Sequence, residues 1–98
     1  MAVLGDDLVL CGSEDVLVRA LDGEAVLLDM ASGKYFGLNE VGSRVWELIE
    51  KGEPVGTIRA AIVREFEVDD ARAGEDLAAL VTELEARGLV RRAPPSSP

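Results

Sequence analysis

The sequence has no histidine and a single cysteine, Cys11. The first absence removes the commonest general base and the commonest metal ligand together. The second excludes an internal disulfide. With no CxxC pair and no base beside it, Cys11 reads as a small, partly buried apolar residue. There is no Walker loop and no GxGxxG. Carboxylate pairs do occur (Asp6-Asp7, Asp69-Asp70, Glu75-Asp76). Neighbours on a helix point about 100° apart, however, and such pairs serve as caps and solvated charge. Neither an enzyme nor a cofactor or metal site is expected. No apolar run approaches the ~18 residues that cross a bilayer. The start "MAVLGDDLVLCG" lacks the early Lys or Arg of a signal peptide, so the expected location is the cytoplasm.

Positive charge is also scarce, with 19 acidic residues against 10 basic ones and a net charge of −9. That sign repels phosphate backbones and anionic membranes. Neither nucleic acid nor a membrane is an expected partner; an apolar or somewhat basic polypeptide fits better. Aromatic residues are few: Tyr35, Phe36, Trp46 and Phe66. Two of them stand side by side in "GKYFGLN", Gly33 to Asn39, between two glycines and just ahead of a helical pattern.

What is present reads as one domain of 98 residues. Residues 1–15 read as an N-terminal arm, weakly anchored or forming a short extra strand. Residues 16–90 are the domain, and 91–98, "RRAPPSSP", a disordered tail. Val16 to Leu21 predicts a first strand, Asp22-Gly23 a hairpin turn, and Glu24 to Met30 a second strand. That second strand is apolar on both faces through Val26, Leu27 and Leu28, which predicts a central strand covered on each side. Gly33 suits a second turn, and Lys34 to Leu38 is the third strand of an antiparallel meander.

Three helices follow. Asn39 is a good N-cap for "EVGSRVWELIEKG", which stops at Gly52. A second helix starts at Pro54 or Thr57 and runs to Phe66. A third, capped by Asp69 or Asp70, carries the stripe Ala73, Leu77, Leu80, Val81 and Leu84 and closes at Gly88. The order β-β-β-α-α-α predicts an α+β fold of winged helix-turn-helix type, with the wing at the front. DNA binding does not follow from it. The third helix, which would enter the groove, holds Asp69, Asp70, Glu75, Asp76, Glu83 and Glu85 against only Arg72 and Arg87.

The third strand is the remaining feature. A meander leaves its first and third strands as edges. The arm could cover the first, but the third offers unpaired N–H and C=O groups to an added strand. Only Lys34 guards it, and Gly37 leaves room for a second backbone. Strand pairing alone is too weak, at roughly 0.5–1.5 kcal/mol per hydrogen bond. Apolar anchors worth roughly 1.5–3 kcal/mol each must add to it, and the third helix supplies an opposite wall. Phe36 and Leu38 read chiefly as core, with Tyr35 at its rim.

These residues resemble a known family. "VLLDMASGKYFGLNEVGSRVWELI", followed by an amphipathic helix, an acidic cap and "DLAALVTELEARGLV", is similar to the PqqD-like family, the RiPP precursor peptide recognition elements. The most specific element is a hairpin ending in Gly33, Tyr35, Phe36, Leu38 and Asn39 that runs into a helix with Trp46. In place of the Tyr-Pro-Glu-Gly-like hairpin tip of PqqD itself, the chain has Asp29-Met30-Ala31-Ser32-Gly33. The closer resemblance is to lasso-peptide B1 proteins. It implies binding of a lasso precursor's leader segment, and presentation to a B2-type cysteine leader peptidase ahead of a cyclase. It also implies a site: Lys34, Tyr35, Phe36, Gly37 and Leu38 on the strand, Arg72, Ala73, Asp76, Leu77 and Leu80 on the third helix, and Leu28 and Met30 lining the cleft. The hairpin register is open at this point. A three-residue loop pairs Met30 with Lys34 and a four-residue loop pairs Asp29 with Lys34, which exchanges the faces of Tyr35 and Phe36.

Overall fold

A computed structural model describes residues 5–93. The element order is β1 (Leu10–Gly12), β2 (Val16–Leu21), β3 (Glu24–Asp29), β4 (Lys34–Leu38), α1 (Glu40–Glu50), α2 (Val55–Phe66), α3 (Asp70–Ala86) and β5 (Val90–Arg92). β2, β3 and β4 form the expected antiparallel meander. At the first turn Asp22 and Gly23 both take positive φ, +49° and +82°, as a two-residue hairpin loop requires. At the second, the Asp29 carboxylate accepts from the Ala31 N–H (3.1 Å) and the Ser32 hydroxyl (2.8 Å), while Gly33 turns the chain at φ +75°.

Each helix begins where its capping residue stands. The Asn39 side chain accepts from the Gly42 N–H at 2.8 Å, and that of Asp69 from the Arg72 N–H at 2.7 Å. Pro54 precedes α2 as its extended N-cap, so Thr57 lies inside the helix. α3 ends where Gly88 reaches φ +71° and the Leu89 N–H bonds back to the Leu84 carbonyl at 2.9 Å.

The chain ends are organised differently from the expectation. β1 does not cover β2; it pairs with β5, antiparallel, in a second sheet of two strands. Leu10, Leu89 and Val90 are buried together in the core and draw the two segments to each other, and Gly12 lets β1 lie against the Trp46 ring, since a Cβ there would stand 3.1 Å from Trp46 Cη2. Of the two readings of residues 1–15 the short extra strand is present, as β1, with β5 rather than β2 as its partner, and the tail drawn from 91 begins inside β5. The rest of that tail, residues 94–98, lies outside the described residues.

The core lies between the meander's inner face, β1, β5 and the three helices. Leu10, Leu27, Val45, Ile49, Val55, Ile58, Val81 and Leu84 are its largest fully buried side chains. Ser43 fastens α1 to the sheet. Its hydroxyl accepts from the Ala25 N–H at 2.7 Å and donates to the Leu38 carbonyl at 3.3 Å, closing one end of the β3–β4 ladder. Ser43→Ala leaves a partly buried N–H without an acceptor and is expected to cost about 1–3 kcal/mol, measured as a lower midpoint in urea unfolding with unchanged slope.

Candidate groove between the edge strand and the third helix

The four-residue turn settles the register: Asp29 faces Lys34, Leu28 faces Tyr35 and Leu27 faces Phe36. Because side chains alternate along a strand, the two adjacent aromatics part company. Phe36 shares the inner face with the fully buried Leu27, is itself half-buried, and packs against the core. Tyr35 shares the outer face with Leu28 and is 73% exposed.

Among the described residues β4 is an edge strand, paired only with β3. Across from it, α3 stands far enough away to leave a groove, which Phe36 divides. One hollow, of about 380 Å³, runs over Phe36, Gly37 and Leu38 to the first turn of α1 and to Asp76 and Leu80 of α3. The other, of about 310 Å³, lies between Lys34, Tyr35, Phe36 and the end of α3 at Ala86 and Arg87. The Arg87 guanidinium sits 4.8 Å from the centre of the Phe36 ring, a cation–π contact, and also approaches Glu83 at 3.4 Å. An apolar floor under unpaired backbone groups can take an extended peptide by main-chain pairing and hold its side chains in the two hollows.

Several expected site residues line this groove: Lys34, Tyr35, Phe36, Gly37 and Leu38 from the strand, Asp76 and Leu80 from the helix. Others do not. Ala73 and Leu77 are 1% and 3% exposed and belong to the core. Arg72 lines neither hollow; it stands one turn before Asp76, largely exposed, and pairs with it at 3.1 Å. Leu28 sits on the outer face, and Met30 is at the turn, 64% exposed. The reason on the helix is a rotation of one residue. The stripe 73/77/81/84 faces the core, and Asp76, Leu80 and Arg87 on the neighbouring stripe line the groove. A Cβ at Gly37 would meet nothing within 4 Å, so the fold itself has no steric need of a glycine there.

Asn39, Val41 and Gly42 at one end of the groove and Ala86, Arg87 and Leu89 at the other escaped the sequence reading. Arg87 had a signal: it follows Leu80 by two helical turns and so shares its face.

Comparison with known proteins agrees with this architecture. No curated protein matches the sequence significantly. The family model described as coenzyme PQQ synthesis protein D (PqqD) matches residues 24–90. Among solved structures, TbiB1 in complex with the TbiA(beta) leader peptide is 37% identical with a TM-score of 0.79, over 83% of this chain and 94% of that one. A lasso peptide synthetase B1 complexed with the leader peptide is 29% identical with a TM-score of 0.77, over 84% of this chain and 96% of that one. By the family match, the two structural likenesses and the meander-plus-three-helix fold, this chain belongs to the PqqD-like family of RiPP recognition elements.

Proposed function

We propose that this protein binds the leader segment of a lasso precursor peptide as a strand added to β4. Apolar leader side chains occupy the two hollows on either side of Phe36, and the bound precursor is presented to a separate B2-type cysteine leader peptidase, with a cyclase acting afterwards. The observation that carries this reading is the open β4 edge facing α3 across a groove of apolar floor. Two relatives of the same fold, each solved with a leader peptide, support it. The role needs no catalytic group of this chain. Its chemistry is to hold an extended peptide by main-chain hydrogen bonds and two buried anchors. Main-chain bonds at roughly 0.5–1.5 kcal/mol each and anchors at roughly 1.5–3 kcal/mol each have to act together, because both must offset the cost of ordering the peptide.

The test is a titration with a fluorescent leader peptide beside a DNA duplex of matched size, followed by a scan of single backbone N-methylations along the leader. Saturable binding to the leader alone is expected. Because pairing amides alternate along an added strand, methylation is expected to cut affinity about tenfold at every second residue of the paired segment. Uniform tolerance of N-methylation would remove strand addition and leave the hollows as the whole site.

A further inference from the structure

The two hollows of the groove share the Phe36 wall and differ in charge. The hollow over Gly37 and Leu38 has one charged residue in its lining, Asp76, whose partner Arg72 stands outside it. The hollow on the other side of Phe36 has two cations in its lining, Lys34 from the start of β4 and Arg87 from the end of α3. In a chain of net charge −9, two cations converging on one hollow reverse the prevailing sign.

The carboxylates near these cations are engaged elsewhere or only loosely held. Asp29, the cross-strand neighbour of Lys34 and part of the same lining, accepts from the Ala31 N–H and the Ser32 hydroxyl. Among the described residues seven of the ten basic side chains enter an ion pair, and Lys34 does not. Arg87 is shared between the Phe36 ring and Glu83, and that exposed ion pair is weak. The carbonyl end of α3, which would repel an anion, is closed. The N–H groups of Arg87, Gly88 and Leu89 bond back to the carbonyls of Glu83, Glu85 and Leu84. Because side chains alternate along a strand, Lys34 shares its face with Phe36 and Leu38. A lysine on an edge strand ordinarily discourages pairing. This one lines a hollow that an added strand would cover, and the inward side chains of that strand would fall beside Lys34, Phe36 and Leu38 in turn.

We propose that the hollow between the start of β4 and the end of α3 selects leaders that carry a carboxylate. An Asp or Glu side chain, two residues from an apolar anchor, is held at the rim between Lys34 and Arg87. The proposal rests on the reading of β4 as the leader site. The charge sets register: apolar anchors alone tolerate a slip of two residues, which keeps every side chain on its face. A cationic rim at one end of the groove accepts one placement and penalises the others. In a leader antiparallel to β4 the acidic residue follows the anchors in sequence; in a parallel one it precedes them.

The experiment is a charge scan with the full chain. Fluorescent lasso leader peptides carry Glu, Gln or Lys at each position in turn, and anisotropy reads their affinities at low and high salt. The net charge of −9 favours Lys over Glu at an arbitrary position, so the opposite preference reports a local contact. One position in the paired segment is expected to favour Glu over Lys about tenfold at low salt. At about 0.5 M salt that ratio is expected to fall to about threefold or less. Lys34→Glu is expected to abolish the preference, and Lys34→Glu with Arg87→Glu to invert it. Preferences at the other positions stay within about twofold of their wild-type values. Both side chains are exposed, so the variants keep the fold, which circular dichroism checks. If no position favours Glu, or if the preference survives both variants, the proposal is overturned. A series in which no peptide binds would bring down the leader reading itself, and is distinguishable because it appears with wild-type protein before any variant is made.

Discussion

Phe36→Ala is expected to weaken leader binding by at least about 30-fold, the equivalent of about 2 kcal/mol. The ring is the wall shared by both hollows, so its removal merges them and takes the floor from beneath both anchors at once. The stability cost is smaller than for a fully enclosed phenylalanine, because the ring is only half-buried and its groove side is covered by Arg87. About 1–2 kcal/mol is expected, against the roughly 3–5 kcal/mol typical of a core Phe→Ala change. Anisotropy titration at a temperature where circular dichroism reports full folding separates the two effects. Arg87→Gln is the milder companion, losing about 0.5–1 kcal/mol with the cation–π contact. Leader affinity that survives Phe36→Ala would place the anchors away from this groove.

Leu77→Ala and Leu80→Ala are expected to divide stability from binding. Leu77 is 3% exposed among core side chains, so truncation leaves a cavity and costs about 2–4 kcal/mol. In a domain whose whole stability is roughly 5–15 kcal/mol, that lowers Tm by well over about 8 °C. Its leader affinity, measured while folded, is expected to stay within about twofold. Leu80 lines the larger hollow and is only partly buried. Its truncation is expected to cost less than about 1.5 kcal/mol of stability and about tenfold in leader affinity. The reverse pattern would mean that the peptide sits one helical position further round, against the core stripe.

The contrast between these two leucines also marks how far the sequence could be read. The meander, the three helices and their caps at Asn39 and Asp69 were legible because each rests on local chemistry: turn glycines, side-chain caps and apolar period. The edge role of β4 was legible for the same reason, as a consequence of strand order. Which helix stripe faces the strand was not, because the groove wall reads Asp76, Leu80, Arg87, a stripe that looks like solvent-facing charge. Its meaning comes from Phe36, which is distant in the chain. The side taken by Tyr35 and Phe36 hung on one residue of turn length, which the Asp29–Ser32 hydrogen bond decides. β5 was hidden because Arg91 and Arg92 carry no strand signal, and their pairing comes from the far end of the chain.

That last pairing sets an order of events during folding. The β2–β3–β4 contacts join residues close in sequence, so they form early and at small entropic cost, whereas β1 and β5 must close a loop that contains nearly the whole domain. A three-residue clasp between two such distant segments is expected to close after the meander, and once closed Leu10 and Val90 are buried in the core. Pulsed hydrogen exchange during refolding is expected to protect the amides of β3 before those of Leu10 to Gly12, so that the β4 edge takes its shape ahead of the clasp.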